Sequence, residues 1–278
     1  MKKIIYILVV SVMVLAGCST KNGGELNVYS ARNYDVDKEV YEMFTKETGI
    51  KVNLVEGNSP EIYQRVLSEK GRATADVAIF NGAESIYNLL EEDLIEEIDS
   101  KVVSDNIDKK YYGDKWVGLS RRARILAVDA NKVSTKEIKK YSDILDSKFK
   151  DGILVRSSDN SYNLSFVSAL LDNESKEEVQ SYLNKLVKNF ARDPEGNDRD
   201  QVLAVKEGMC DFAIGNSYYY GNMMMDENQK SWAEAVYINF PNQDNRGAHI
   251  NVSGMALAKF SPNKDNAIKL MEFLTSNV

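Results

Sequence analysis

The side chains best equipped for chemistry are tyrosines. The chain carries 15 of them against 9 phenylalanines, and three stand together in GNSYYYGN, residues 215–222, between a Gly-Asn-Ser turn signal and a second glycine. Tyr41, Tyr63, Tyr87 and Tyr182 fall at helical spacing among apolar residues and read as packing. Tyr34 in YSARNYDVD, Tyr162 in RSSDNSYNLS, and Tyr218 and Tyr219 in the triple are different, because each sits in a loop where a polar turn follows a strand pattern. Ligands of open α/β sheets collect at the carboxyl ends of strands, so four loops far apart in sequence can meet at one cleft. Ser217 is placed to cap a helix, which makes Tyr218 and Tyr219 its first residues, about 100° apart around the axis and able to converge on one point. Tyr220 reads as packing. A phenol ionises near pH ~10, so several phenols ionise together only beside a strong cation. A hard trivalent metal ion supplies one, since hard cations select oxygen donors and coordination favours the ionised ligand. SRRAR, residues 120–124, offers Arg121, Arg122 and Arg124 to offset remaining negative charge.

Other chemistries lack their parts. His249 is the sole histidine, which excludes a zinc site with two or three imidazoles and leaves a Ser-His-Asp triad one candidate base. Its context, RGAHINVSG, reads as a loop entering a strand, with a structural histidine. Neither G-x-S-x-G, a P-loop nor G-x-G-x-x-G occurs. Glu91, Glu92 and Asp93, and Glu96 and Glu97, share a helical pattern with Leu89, Leu90, Leu94, Ile95 and Ile98 and read as its solvated face. Cys210 in GMCDFAIGN reads as a buried thiol. No enzyme signature emerges.

The elements that must position the tyrosines alternate. A glycine-led strand at 23–30 precedes a helix and strand within 35–56, with Val36, Val40, Tyr41 and Phe44 on the inner helix face; a helix PEIYQRVLSEK, a strand at 75–80 and a helix SIYNLLEEDLIEEI follow. Strand patterns recur at 115–133, 152–158, DFAIGNS and 233–241, with helices at 162–172, 175–190 and 198–207 between them. This is an α/β pattern with parallel strands. At 278 residues and 43% hydrophobic composition the chain can bury a large core, and with 4 prolines and no linker-like tract any two lobes are joined by strands. The net charge of −7 is mixed along the chain, without the basic stripe that nucleic acid requires.

The first residues stand apart. MKK, an apolar run from Ile4 to Ala16 and LAGC at 15–18 form a signal-peptide pattern too short to span a bilayer. LAGC resembles the lipobox of bacterial lipoproteins, which implies cleavage after residue 17 and lipid on Cys18; an ordinary signal peptide with an incidental cysteine is the alternative. With Cys18 modified, Cys210 has no disulfide partner within the chain.

YSARNY, GLSRRAR, RSSDNSYNLS, NFARDPEGNDRDQ, GNSYYYGN and GAHINVSGMAL occur in this order across residues 29–257. Together they resemble the ferric-iron-binding solute proteins of ABC importers, in the tyrosine-rich branch. The resemblance implies a type II periplasmic-binding-protein-like fold: two α/β lobes with mixed sheets flanked by helices and a ligand cleft between them. Residues 25–123 plus 246–278 would form lobe 1 and 124–245 lobe 2. It further implies that Tyr34, Tyr162, Tyr218 and Tyr219 ligate Fe³⁺ and that Arg122 balances charge or contacts an anion. Asn33 stands where relatives often carry histidine, so water or a small anion such as carbonate is expected at that coordination position. The same resemblance implies an extracytoplasmic, lipid-anchored monomer that serves an ABC permease and its ATPase, is not an enzyme, and ends earlier than family members usually do. Two rival readings are a protein of this fold for an organic ligand or anion, such as thiamine or a polyamine, and an extracytoplasmic hydrolase or transferase.

Overall fold

The computed structural model describes residues 23–32, 34–72, 74–158 and 160–276. The signal peptide at 1–17, Cys18 and Asn33 lie outside the described residues. In chain order the elements are β1 (Glu25–Ser30), α1 (Asp35–Thr48), β2 (Lys51–Glu56), α2 (Ser59–Ser68), β3 (Val77–Phe80), α3 (Ala83–Glu91), β4 (Ile95–Glu96), α4 (Lys101–Asn106), β5 (Tyr112–Gly113) and β6 (Trp116–Asp129). They continue with β7 (Ile153–Val155), α5 (Ser161–Asn173), α6 (Lys176–Lys188), α7 (Asp198–Lys206), β8 (Phe212–Asn216), α8 (Ser217–Met225), α9 (Lys230–Ala233), β9 (Val236–Asn239), β10 (Ile250–Ala258) and α10 (Lys264–Thr275).

The main strand order is β2-β1-β3-β10-β6-β8-β7, with β4 added on β10 and β5 and β9 on β6. β1 runs parallel to β2 and β3, and β7 parallel to β8, as alternation with helices requires. The two long strands β6 and β10 run antiparallel to their neighbours, so the sheet is mixed and not parallel throughout. β6 explains the architecture. Its first part, through Ala123, pairs with β10, whereas from Arg124 onward it pairs with β8 and β9. One strand thus serves two half-sheets.

Each half-sheet is covered on both faces. In the first, Tyr41 and Phe44 of α1 and Ala267, Leu270 and Met271 of α10 pack on one face, and Ile62 and Val66 of α2 with Ile86 and Leu89 of α3 on the other. In the second, α5 and α6 bury Phe166, Leu170, Val179, Tyr182 and Leu186 on one face, while α7, α8 and α9 bury Val202, Val205, Met223 and Ala233 on the other. Strands buried on both faces read as continuous apolar runs, which is the pattern of Val77–Phe80 and Ile153–Val155.

Local departures have local causes. The helix expected to run to Ile98 stops at Glu91, because Asp93 takes a left-handed conformation (φ 53°) and turns the chain into β4, which pairs with β10 and buries Leu94, Ile95 and Ile98. The carboxylates of that stretch therefore straddle a turn and are not one helix face; Glu96 is paired with Lys264 at 3.1 Å. On α1 the buried face is Tyr41 and Phe44, and Val36 in the first turn is exposed, as is Tyr87 on α3.

Candidate metal centre

All four singled-out tyrosines occupy helix N-termini, as the sequence reading expected for Tyr218 and Tyr219. Tyr34 is the N-cap of α1. Tyr162 is the second residue of α5, whose N-cap Asn160 accepts the Tyr162 backbone N–H at 3.1 Å through its side chain. Tyr218 and Tyr219 are the second and third residues of α8. Ser217 is not the cap but the first helical residue; its hydroxyl accepts the Ala123 backbone N–H at 3.2 Å and ties α8 to β6. Unpaired N–H groups and the macrodipole make each helix start favourable to negative charge, and three such starts point phenols at one place.

The phenols share a cleft of about 890 Å³. Tyr218 stacks on Tyr219 with ring centres 4.1 Å apart and planes at 30°, and meets the edge of Tyr34 at 6.4 Å. Tyr162, mostly buried, lines the same wall with Asn160, Ser161, Arg156 and Arg199. The opposite wall, from α2 and α3, brings Asn58, Ser59, Tyr63, Glu84 and Asn88. Burial pushes the Tyr218 hydroxyl far above the usual phenol range, and charge on Tyr162, a hydrogen bond and charge at Tyr219, and charge on Tyr34 push it further. In the metal-free cleft Tyr218 is therefore a neutral phenol. Only a cation of high charge density makes joint ionisation of this group favourable.

Arginines surround the rings. Arg122 is buried behind Tyr162, its guanidinium 4.9 Å from the ring centre, donating to Ser253 Oγ at 2.7 Å and to the Asn81 carbonyl. It faces the back of the ring and is absent from the cleft lining. The strand period separates its neighbours: Arg121 is exposed and donates to the Tyr111 hydroxyl at 3.1 Å, while Arg124, fully buried, pairs with Asp198. The arginines that do line the cleft are Arg156, 5.7 Å from the Tyr162 ring centre, and Arg199, 5.7 Å from that of Tyr219. Sequence reading missed both. They lie inside motifs that carry the family resemblance, but no spacing rule marks an arginine that reaches the site from the end of β7 or from the start of α7.

No group of three His, Cys, Asp or Glu side chains among the described residues could hold a metal ion. His249 keeps to the structural role expected of it: its Nε2 lies 3.1 Å from Ser165 Oγ and its backbone N–H donates to the Tyr141 hydroxyl at 3.1 Å. Burial and the nearby Arg124 charge lower its pKa to about 4, so the ring is neutral. Burial, helped by Asp211, raises the Cys210 thiol to about 12, which leaves it inert.

A family model described as "Bacterial extracellular solute-binding protein" matches residues 39–278. The chain belongs to this family. Among curated members, iron uptake protein A1 of Synechocystis sp. is 38% identical over 256 residues, covering 91% of this chain and 71% of that protein. The major ferric iron-binding protein of Neisseria meningitidis is 26% identical over 256 residues, covering 91% and 76%. Among solved structures, the Trichodesmium protein (IdiA, FutA) in complex with iron and citrate ligands superimposes with a TM-score of 0.87 at 37% identity, over 91% of this chain and 81% of that one. The apo ferric ion-binding protein A of Pasteurella haemolytica gives 0.83 at 41%, over 91% and 80%. The fold is accordingly the two-lobe, type II solute-binding fold. The family is one of extracellular solute-binding proteins, so the protein is an extracytoplasmic binding protein and not an enzyme.

Proposed function

We propose that this protein captures ferric ion in the cleft and delivers it to the permease and ATPase of an ABC importer, with Tyr34, Tyr162, Tyr218 and Tyr219 as phenolate ligands. The observation that carries the reading is the convergence, from three helix N-termini, of four phenols in a cleft whose described residues hold no other metal-ligating cluster. An iron uptake protein at 38% identity and a solved complex with iron and citrate ligands at 37% support it. Each phenol releases its proton to solvent as its oxygen binds the metal, so the site loads as pH rises and unloads in acid. Four phenolates around Fe³⁺ carry a net charge of −1, which the Arg122 guanidinium behind Tyr162 offsets. Arg156 and Arg199, which line the cleft, hold a synergistic anion such as carbonate; that anion or water completes the coordination in place of the histidine often found in relatives.

Residues 25–123 with 246–278, and 124–245, act as lobes hinged at β6 and β10, Tyr34 belonging to the first and the other three phenols to the second. Closure around the ion reports occupancy to the permease. The mature protein works as a monomer, tethered by lipid on Cys18 after removal of residues 1–17. Titration of the soluble domain with ferric citrate tests the core of this reading: a visible phenolate-to-iron absorption is expected at one ion per chain, reduced in Tyr218→Phe and in Tyr219→Phe. A colourless wild-type protein, or variants with unaltered spectra and stoichiometry, would overturn it. Fractionation tests the tether: Cys18→Ser should move the protein from the membrane to the soluble fraction.

A further inference from the structure

Behind the tyrosines lies a set of charges that ligand binding alone does not require. Asp198, the first residue of α7, is almost fully buried, as is Arg124 of β6. Asp198 Oδ2 accepts the backbone N–H of Asn216 at 2.7 Å and faces an Arg124 Nη1 at 3.3 Å, while its Oδ1 faces Arg156 Nη1 at 3.3 Å. The other Arg124 Nη donates to the side-chain oxygen of Asn163, whose amide nitrogen donates onward to the carbonyls of Arg156 and Ser157 at 3.1 and 2.9 Å. Asn216 is the N-cap of α8, two residues before Tyr218, and Asn163 directly follows Tyr162. The chain Asn216–Asp198–Arg124–Asn163 therefore links the two helix starts that carry three of the four phenols.

Burying one carboxylate with two guanidiniums is costly, and apolar residues of similar volume commonly serve stability as well or better. Asn216 sharpens the point, because neither atom of its buried side-chain amide has a hydrogen-bond partner among the described residues. The α8 start is thus held at its N-cap by the Asp198 bond to the main chain and not by a side-chain cap. We infer that Asp198, braced by Arg124, is a positioning residue that preassembles Tyr162, Tyr218 and Tyr219 into a half-site before Tyr34 arrives. This rests on the ferric reading above. The surplus guanidinium of the set also leaves positive charge beneath Tyr162, where phenolate forms.

The test is Asp198→Asn in the otherwise intact soluble domain, titrated with ferric citrate beside wild type. Tenfold or greater loss of affinity, with a weaker and shifted phenolate-to-iron band in a variant that keeps wild-type circular dichroism, is the expected result. A folded variant with unchanged affinity and band would overturn the inference. Should Asp198→Asn fail to fold, Asn163→Ala decides: it cuts the tie from Arg124 to α5 and should lower the band while leaving Tyr218 and Tyr219 engaged, whereas an unchanged band would overturn the inference. Absence of the band in wild type would overturn the ferric reading instead. The positioning role has its own metal-free readout, fluorine resonances of 3-fluorotyrosine at 218 and 219, which should move or broaden in Asp198→Asn; unmoved resonances would overturn that role.

Discussion

At the scale of single residues, the cleft holds Tyr218 where its hydroxyl resists ionisation, and on the ferric reading a cation of high charge overcomes that resistance. Burial and three neighbouring tyrosines all raise its pKa. Because loading expels phenol protons, apparent ferric affinity should rise steeply between pH 5.5 and 7.5, measured by competition with citrate; a flat profile would mean that the ligands are not phenols. The same resistance has a stability sign. Tyr41, Tyr141 and Tyr182 are also raised by burial, Tyr141 to about 12. In the unfolded chain these groups ionise near pH ~10. Their contribution to stability is therefore complete below that pH and is lost as pH climbs toward their folded values. The urea midpoint of the metal-free protein should hold between pH 8 and 9.5 and fall by pH 11. Much of this was legible in the sequence, since Tyr34, Tyr162, Tyr218 and Tyr219 stood out by their polar turns. The helix starts at Tyr162 and at Tyr218–Tyr219 were legible too, but the exact cap of the latter was not. Ser217 reads as a cap by type, but the Ala123 main chain takes its hydroxyl and the N-cap falls one residue earlier.

At the scale of elements, β6 and β10 carry the argument. The register of β10 shifts between Ser253 and Gly254, a bulge that twists a long antiparallel pair. A Cβ at Gly254 would stand 2.5 Å from Ile86 Cδ1 and 3.2 Å from the Val117 carbonyl. Gly254→Ala should accordingly cost about 1–3 kcal/mol, read from chemical denaturation, with ferric stoichiometry preserved. His249, just ahead of β10, titrates in the other direction. Its folded pKa of about 4 lies below the ordinary value of 6.5, so its contribution is present above pH 6.5 and fades as pH falls toward 4. That loss amounts to up to about 3 kcal/mol. His249→Gln should flatten this part of the stability–pH curve, and a variant with an unaltered acid limb would show that the ring is not the responsible group. Sequence patterning recovered the long elements of this scaffold, including the strand of 115–133. It failed at Glu91–Ile98, because a left-handed Asp93 leaves the apolar spacing of a helix intact while ending the helix.

At the scale of the whole molecule, β6 joins the two half-sheets among the described residues, and Arg124 marks the residue at which it changes partners. If these strands are the hinge, ferric loading should shrink the radius of gyration in small-angle scattering, and Tyr34→Phe should leave the ion on the second lobe with a smaller contraction. Identical scattering curves for the loaded and metal-free protein would refute closure. The mixed sheet was not legible in the alternation of strands and helices alone, which suggested parallel strands. Antiparallel β10 owes its direction to a return from the far half of the molecule, a long-range constraint without a local signature.

The donor inventory of the cleft has a consequence for selectivity. Zinc, nickel and cuprous ions favour imidazole and sulfur, but the His249 ring lies against Ser165 and the Cys210 thiol is buried, and neither lines the cleft. Divalent ions that met only uncharged hydroxyls would have to expel several protons with a smaller charge. If the four phenols are the ligands, the lock is set by acidity: abundant competitors are too weak as Lewis acids to open the pocket, and no dedicated filter is required.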